Sequence, residues 1–229
     1  METPVTSSDQ WITRADLVIM KTYGRYPIVP VRGKGCRVWD ADGKEYLDFL
    51  AGVAVNNLGH CHPKVVEAIR EQAGLFLHAQ ANIVVHQPML QLISELKTIV
   101  HPSIDGFFFS NSGAEAVEGA LKLARQYHKL RGHKDRSKFI ALRQGYHGVH
   151  FGGMSVNGNT NFRRPYEPLL PGVFHIDSPW LYRNAYTRDE AELGRIVAAQ
   201  LEREIGREVD LAHAACTERA VDPEVAEPE

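Results

Sequence analysis

The chain has 229 residues, 44% of them hydrophobic and 24% charged, with a formal net charge of −2. That length and composition suit a soluble globular protein with a real core. The near-neutral balance lacks the clustered basic face of nucleic-acid binders, and no apolar run is long enough to span a bilayer.

Residues up to about Gln10 read as a loose, polar leader, unlike a secretory signal. Residues 11–20 mix apolar and charged positions in a pattern compatible with a short helix. Residues 38–49 read as two short strands around a turn at Asp42-Gly43. Pro63 starts a helix pattern running through Val66, Ile69 and Arg70, and a second helix is expected over 88–100, with Leu92, Ile93 and Leu96 on its buried side. A strand–helix–strand unit of a parallel sheet is expected over about 106–143. It begins with the apolar strand Phe107-Phe108-Phe109 and ends with Phe139-Ile140-Ala141-Leu142. Between them, Val117, Leu121 and Ala124 recur at helical spacing, with Glu118 and Lys122 as a supporting pair on the wet side. A loop with Tyr146-His147-Gly148, a Pro- and Arg-containing connection over 163–171, a strand at 173–176 and a charged helix over 187–205 follow. From 206 the periodicity fades into an acidic tail with two prolines.

The most informative stretch is Phe107-Phe108-Phe109-Ser110-Asn111-Ser112-Gly113-Ala114-Glu115. An apolar strand feeds a small-residue turn that opens a helix, which aims backbone N–H groups and a positive helix end at one spot. A phosphate fits there, although many helices begin with a Ser or Asn cap and bind nothing. Tyr146-His147-Gly148 follows the next strand, and ligands of open α/β sheets collect at the carboxyl ends of strands. Tyr146 can stack on a planar heterocycle or pack in an ordinary loop.

Other groupings have plainer readings. Gly59-His60-Cys61-His62-Pro63 puts its histidines too close for a structural zinc site, so a turn into a helix is the economical account, and no metal is expected. Tyr127-His128-Lys129 and the cationic run after it read as the solvated end of a helix. Arg163-Arg164 could meet a carboxylate or coat a surface. Cys36, Cys61 and Cys216 are scattered, without CxxC spacing, which fits a reducing, cytoplasmic setting. No GxxxxGK[ST], HExxH, GxSxG or GxGxxG arrangement is present, which leaves a phosphate-bearing planar cofactor as the best chemical candidate.

Taken together, Gly43-Lys44-Glu45-Tyr46-Leu47-Asp48-Phe49-Leu50-Ala51-Gly52, then Leu58-Gly59-His60-Cys61-His62-Pro63, then Ser112-Gly113-Ala114-Glu115-Ala116, then Tyr146-His147-Gly148, resemble class III aminotransferases in order and spacing. These are pyridoxal-phosphate enzymes of fold type I, and the resemblance runs from about Thr22 to Ile205. It implies an α/β fold: a partial large domain with a parallel-type central sheet over 56–205, preceded by a small-domain segment over 1–55 and followed by an irregular tail over 206–229. It also implies cofactor-binding roles. Gly113 and Ala114 match backbone N–H donors to the pyridoxal 5'-phosphate phosphate, with Ser112 beside them, and Tyr146 matches the aromatic residue stacked on the pyridine ring. The family reaction moves an amino group from an amino acid or ω-amine to a 2-oxo acid, commonly 2-oxoglutarate, and members pair as homodimers.

Two departures qualify the resemblance. Val149 stands where the acetylornithine and ornithine branch commonly has an Arg for a substrate carboxylate, and residues 166–173 look more like 4-aminobutyrate and other ω-amino-acid enzymes. In addition, the family's Schiff-base lysine lies downstream of the aromatic motif, whereas the last lysine here is Lys138. No catalytic residue is therefore assigned. The chain is expected to be an N-terminal portion of an aminotransferase, catalytically silent and poorly soluble by itself. An aminomutase or diaminopelargonate-type member, or a non-catalytic chain that pairs with a full-length subunit, is the alternative.

Overall fold

The computed structural model describes residues 7–206. These fall into two compact units, one within Met1–Leu96 and the other within Lys97–Glu229. The tail expected over 206–229, Cys216 included, lies outside the described residues apart from Gly206.

The first unit opens with α1 (Ser8–Val18), capped by a reciprocal pair in which the Ser7 hydroxyl accepts from Gln10 N–H and the Gln10 side chain accepts from Ser7 N–H. A three-stranded antiparallel sheet follows in the order β1 (Pro30–Lys34), β2 (Arg37–Asp40), β3 (Glu45–Leu47). The strands on either side of Asp42-Gly43 match the sequence expectation; β1 was not foreseen. Buried Asp40 ties the hairpin: its Oδ1 accepts from Asp42 N–H at 3.0 Å and Lys44 N–H at 2.8 Å, and its Oδ2 from the Tyr46 hydroxyl at 2.8 Å. Ala51–Ala54 forms a single turn, α2, with Gly52 and Val53 at positive φ. Asp48 holds its entry, accepting from Leu50 and Ala51 N–H at 2.9 Å each, and its other oxygen lies 2.6 Å from His60 Nε2. The 59–63 stretch thus behaves as a turn into a helix, α3 (Pro63–Leu75), with Pro63 in the first turn. In α4 (Gln87–Leu96), Met89, Ile93 and Leu96 are half-buried, whereas Leu92, expected inside, is exposed.

The second unit is built on α5 (Gly113–Leu130), β4 (Phe139–Leu142), α6 (Phe151–Val156), α7 (Thr160–Arg163), β5 (Val173–Ile176) and α8 (Glu190–Gly206), with short 3-10 turns at Arg164–Tyr166 and Leu181–Arg183. β4 and β5 pair in parallel, Phe139 opposite Val173 through Leu142 opposite Ile176. The crossover between them carries α6, as parallel neighbours require. One face of this pair packs Ala124, Phe139 and Val156 with Val117, Leu121, Ala141, Leu170 and Val173. The other packs Ile176 with Leu193 and Val197 of α8, together with Ile140 and Leu181. The periodic apolar stripe of α5 is therefore its inward face, as expected.

Three expectations are corrected here. Residues 107–109 belong to no strand pair among the described residues, because apolar composition alone does not make a strand without a ladder partner. His128 is buried rather than solvated, since it lies four residues beyond Ala124 on the same face of α5. Glu118 is half-buried and turns away from the wet side to α6, where its Oε1 accepts from Gly153 N–H at 2.9 Å. Among the described residues no helix is long and apolar enough to cross a membrane.

Candidate active site

The start of α5 is organised by its own side chains. Ser112 is the N-cap, its hydroxyl oxygen accepting from Glu115 N–H at 3.2 Å. The Glu115 carboxylate reaches back to Asn111 N–H at 2.7 Å, and the Ser110 hydroxyl donates to Ser112 C=O at 3.1 Å. These bonds leave the first-turn N–H groups of Gly113 and Ala114, which have no acceptor within a helix. They also leave the Ser112 hydroxyl proton free to be donated. A Cβ built on Gly113 meets nothing within 4 Å beyond its own chain neighbours and helix backbone, so the space beside this first helical residue is open. Two backbone donors, one hydroxyl and a positive helix end make a fitting cradle for a phosphate.

Tyr146 belongs to the loop that leaves the carboxyl end of β4. Its ring is 65% exposed and meets Phe162 edge to face, centroids 6.3 Å apart. The ring is thus steadied by one neighbour while most of the residue stays open to solvent. The contact that unites the two sequence motifs is made by Gly148. Buried and at φ +96°, it lies so close to α5 that a Cβ there would stand 2.7 Å from Ala114 Cβ and 2.9 Å from Ala114 Cα. The loop carrying Tyr146 is therefore seated directly on the helix end carrying Gly113 and Ala114.

Residues not singled out in the sequence hold that loop. Asn157, 1% exposed, donates from Nδ2 to Gly148 C=O at 2.8 Å and accepts from His147 N–H at Oδ1. The Asn157 carbonyl lies 3.0 Å from His175 Nε2 on β5. Burial pushes the His175 imidazole below its ordinary pKa, and the nearby Arg163 guanidinium pushes the same way. The Asn157 carbonyl accepts, so the neutral ring donates from Nε2. Ser155 links the same layer, accepting from Leu170 N–H at 2.9 Å. A composition of Ser, Asn and Gly over 155–159 signals a turn, and nothing in it distinguishes a buried Asn from a solvated one.

A second polar group closes the carboxyl ends of the strands. Asp177 accepts from the Tyr186 hydroxyl, from Gln200 Nε2 at 3.1 Å and from Arg143 Nε at 3.0 Å. The Tyr186 bond leads in holding the Asp177 carboxyl below its ordinary value, against its partial burial, with Gln200 and Arg143 helping. An open groove of about 670 Å³ belongs to the first unit; Leu58, Val65, Ile69, Phe76 and Leu77 line it, with His62, Lys64 and Gln72 also among its residues. Its walls are almost wholly apolar and lack the converging polar groups of a cofactor site.

The profile of the family Aminotransferase class-III matches residues 18–212. The chain belongs to that family. Acetylornithine aminotransferase of Caldanaerobacter subterraneus is 44% identical to this class-III chain over 166 residues, which are 72% of the chain and 41% of that enzyme. The Methanopyrus kandleri acetylornithine aminotransferase is 43% identical over 157 residues, 69% of the chain and 39% of its own length. Among solved structures, an (S)-enantioselective omega-transaminase from Thermomicrobium roseum superimposes with a TM-score of 0.83 at 29% identity, over 92% of this chain and 49% of that one. An amine transaminase from an uncultivated Pseudomonas species, solved in its PLP-bound form, superimposes with a TM-score of 0.77 at 34% identity, over 85% and 46% of the two chains. These neighbours make the fold that of the PLP-dependent transaminases, fold type I. The class-III chain spans about two-fifths of the length of the curated relatives it matches.

Proposed function

We propose that this chain supplies the phosphate-and-ring half of a pyridoxal 5'-phosphate site in an aminotransferase. The seating of Gly148 on Ala114 carries the reading, because it joins an open helix N-terminus to an exposed aromatic ring. Gly113 and Ala114 would take the phosphate through their N–H groups, Ser112 through its hydroxyl, and Tyr146 would cover the ring. Pyridoxal phosphate, when bound, supplies the electron sink for transfer of an amino group. The chain's own part is to anchor, orient and shield. No residue here is assigned to proton transfer at the substrate carbon.

The substrates proposed are an amino acid or ω-amine donor and a 2-oxo acid acceptor such as 2-oxoglutarate. Val149, exposed and uncharged beside the aromatic motif, offers no charge to a substrate carboxylate at that place. A homodimer in the complete form, a cytoplasmic location, and the division into a small-domain segment over 1–55, a partial cofactor domain over 56–205 and a tail over 206–229 belong to the same proposal.

Titration of the chain with pyridoxal phosphate, followed by circular dichroism of the bound chromophore, tests it. Saturable binding that inorganic phosphate competes away is expected. Gly113→Asp keeps or strengthens the helix start, since an acidic residue suits the first turn, yet places a negative charge in the cradle. It should abolish binding. No binding by the native chain, or equal binding by both, would overturn the reading.

A further inference from the structure

We infer that Asn157 is a positioning residue that sets the separation between the Tyr146 ring and the phosphate-binding turn of α5, an inference resting on the site proposed above. The argument begins with what the carboxamide touches. Asn157 is 1% exposed, and it grips the loop on both sides of one residue boundary: Oδ1 accepts from His147 N–H while Nδ2 donates to Gly148 C=O at 2.8 Å. A neutral amide can accept and donate at once. A carboxylate cannot donate, and an alkyl group does neither.

The grip matters because Asn157 is itself fixed from several directions. Its N–H donates to Gly153 C=O at 3.0 Å and Met154 C=O at 3.2 Å, and its carbonyl is held by His175 of β5 at 3.0 Å. The other end of α6 is tied to α5 by Glu118, which accepts from Gly153 N–H at 2.9 Å. Short, buried α6 is thereby referenced to both the helix and the sheet, and Asn157 passes that reference to the loop. At the far end of the chain of contacts Gly148 rests on Ala114, beside the Gly113 and Ala114 N–H groups. Tyr146 is two residues away, with Gln144 at φ +69° behind it. A loop with one exposed ring and a left-handed residue needs such outside ties to hold a single geometry.

A ligand that spans ring and phosphate senses this separation, and a bare phosphate does not. The test compares the affinities of the full chain for pyridoxal phosphate and for inorganic phosphate in the native form and in Asn157→Asp. At pH 8 the variant carboxylate faces the Gly148 carbonyl without a proton. Pyridoxal-phosphate affinity should fall about tenfold, while phosphate affinity stays within about twofold. The dichroism of the bound chromophore should fall with the former. A buried carboxyl titrates above its usual range, so near pH 5.5 the protonated side chain can again accept and donate. The gap to the native chain at the same pH should then narrow. Parallel loss of both ligands, or a lowered thermal midpoint with an unchanged affinity ratio, would make Asn157 a structural residue only and sink the inference while leaving the site intact. Failure of the native chain to bind pyridoxal phosphate would remove both. If Asn157→Asp does not fold, Asn157→Ser carries the comparison, since its hydroxyl is too short to bridge both groups; an unchanged ratio there overturns the proposal.

Discussion

Gly148 is the residue on which the site's geometry turns. Its φ of +96° disfavours any L side chain, and a Cβ there would meet the Ala114 Cβ and Cα of α5, neither of which can swing aside as the tip of a flexible side chain could. Gly148→Ala must shift the loop or the helix end. We expect a loss of roughly 1–3 kcal/mol in urea unfolding, as overpacking and left-handed strain typically cost, together with weaker pyridoxal-phosphate binding. Unchanged unfolding would show that the loop is not seated as described. His175 acts at the same scale through its charge. Its folded pKa lies below its ordinary value of 6.5, so the unfolded chain binds the proton more readily. The stability it contributes is fully present above that value and is lost as pH falls through the lower folded value. Replacing it with Gln keeps a donor for the Asn157 carbonyl and removes the titration. The native-minus-H175Q difference in unfolding midpoint should therefore become less favourable to the native chain as pH drops below about 6.5. A difference that stays flat over this window would refute the assignment.

At the scale of elements, the parallel pair β4–β5 and the helix α5 behave differently from the segment that precedes α5. Phe139–Leu142 is laddered to Val173–Ile176, with buried Phe139 and Ile176 on opposite faces. Residues 107–109 have the apolar composition of a strand and no ladder. Hydrogen exchange should separate them: amides of Phe139 and Arg143, which donate to the Gly172 and Ile176 carbonyls, protected, those of Phe108 and Phe109 exchanging freely. Slow exchange at 107–109 would indicate strand pairing between copies or with another chain. The cause is elementary, because a strand is stabilised by a neighbour, and apolarity alone supplies none.

For the whole molecule, the salient fact is how much apolar surface the described residues leave in water. Phe49, Val53, Val55, Leu77, Ile83 and Phe108 are each at least 72% exposed. Large apolar side chains left in water in such number favour association with something that covers them. A hydrophobic dye should bind the isolated chain strongly, and association should rise with concentration; a dye-silent monomer would contradict the exposure described. Covalent chemistry offers a second check at this scale. Since Lys138 is the last lysine and lies upstream of Tyr146, borohydride reduction of the cofactor-saturated chain should leave no pyridoxyl adduct. A stoichiometric adduct at any lysine would assign the anchoring role to this chain.

Local and periodic information was legible in the amino-acid order itself. The Ser112 cap, the inward stripe Val117, Leu121, Ala124, the hairpin turn at Asp42-Gly43, the Pro63 helix start and the strand at Val173–Ile176 all follow from contacts between near neighbours or from burial of one face. The order and spacing of four motifs also pointed to the family. What only tertiary structure decided depends on partners distant in sequence: Gly148 against Ala114, Glu118 turned toward Gly153, Asn157 gripping His147 and Gly148, and His128 buried. An Asn in a turn and a Glu on a helix read as solvated until the fold removes water from around them. Burial then makes their hydrogen bonds obligatory.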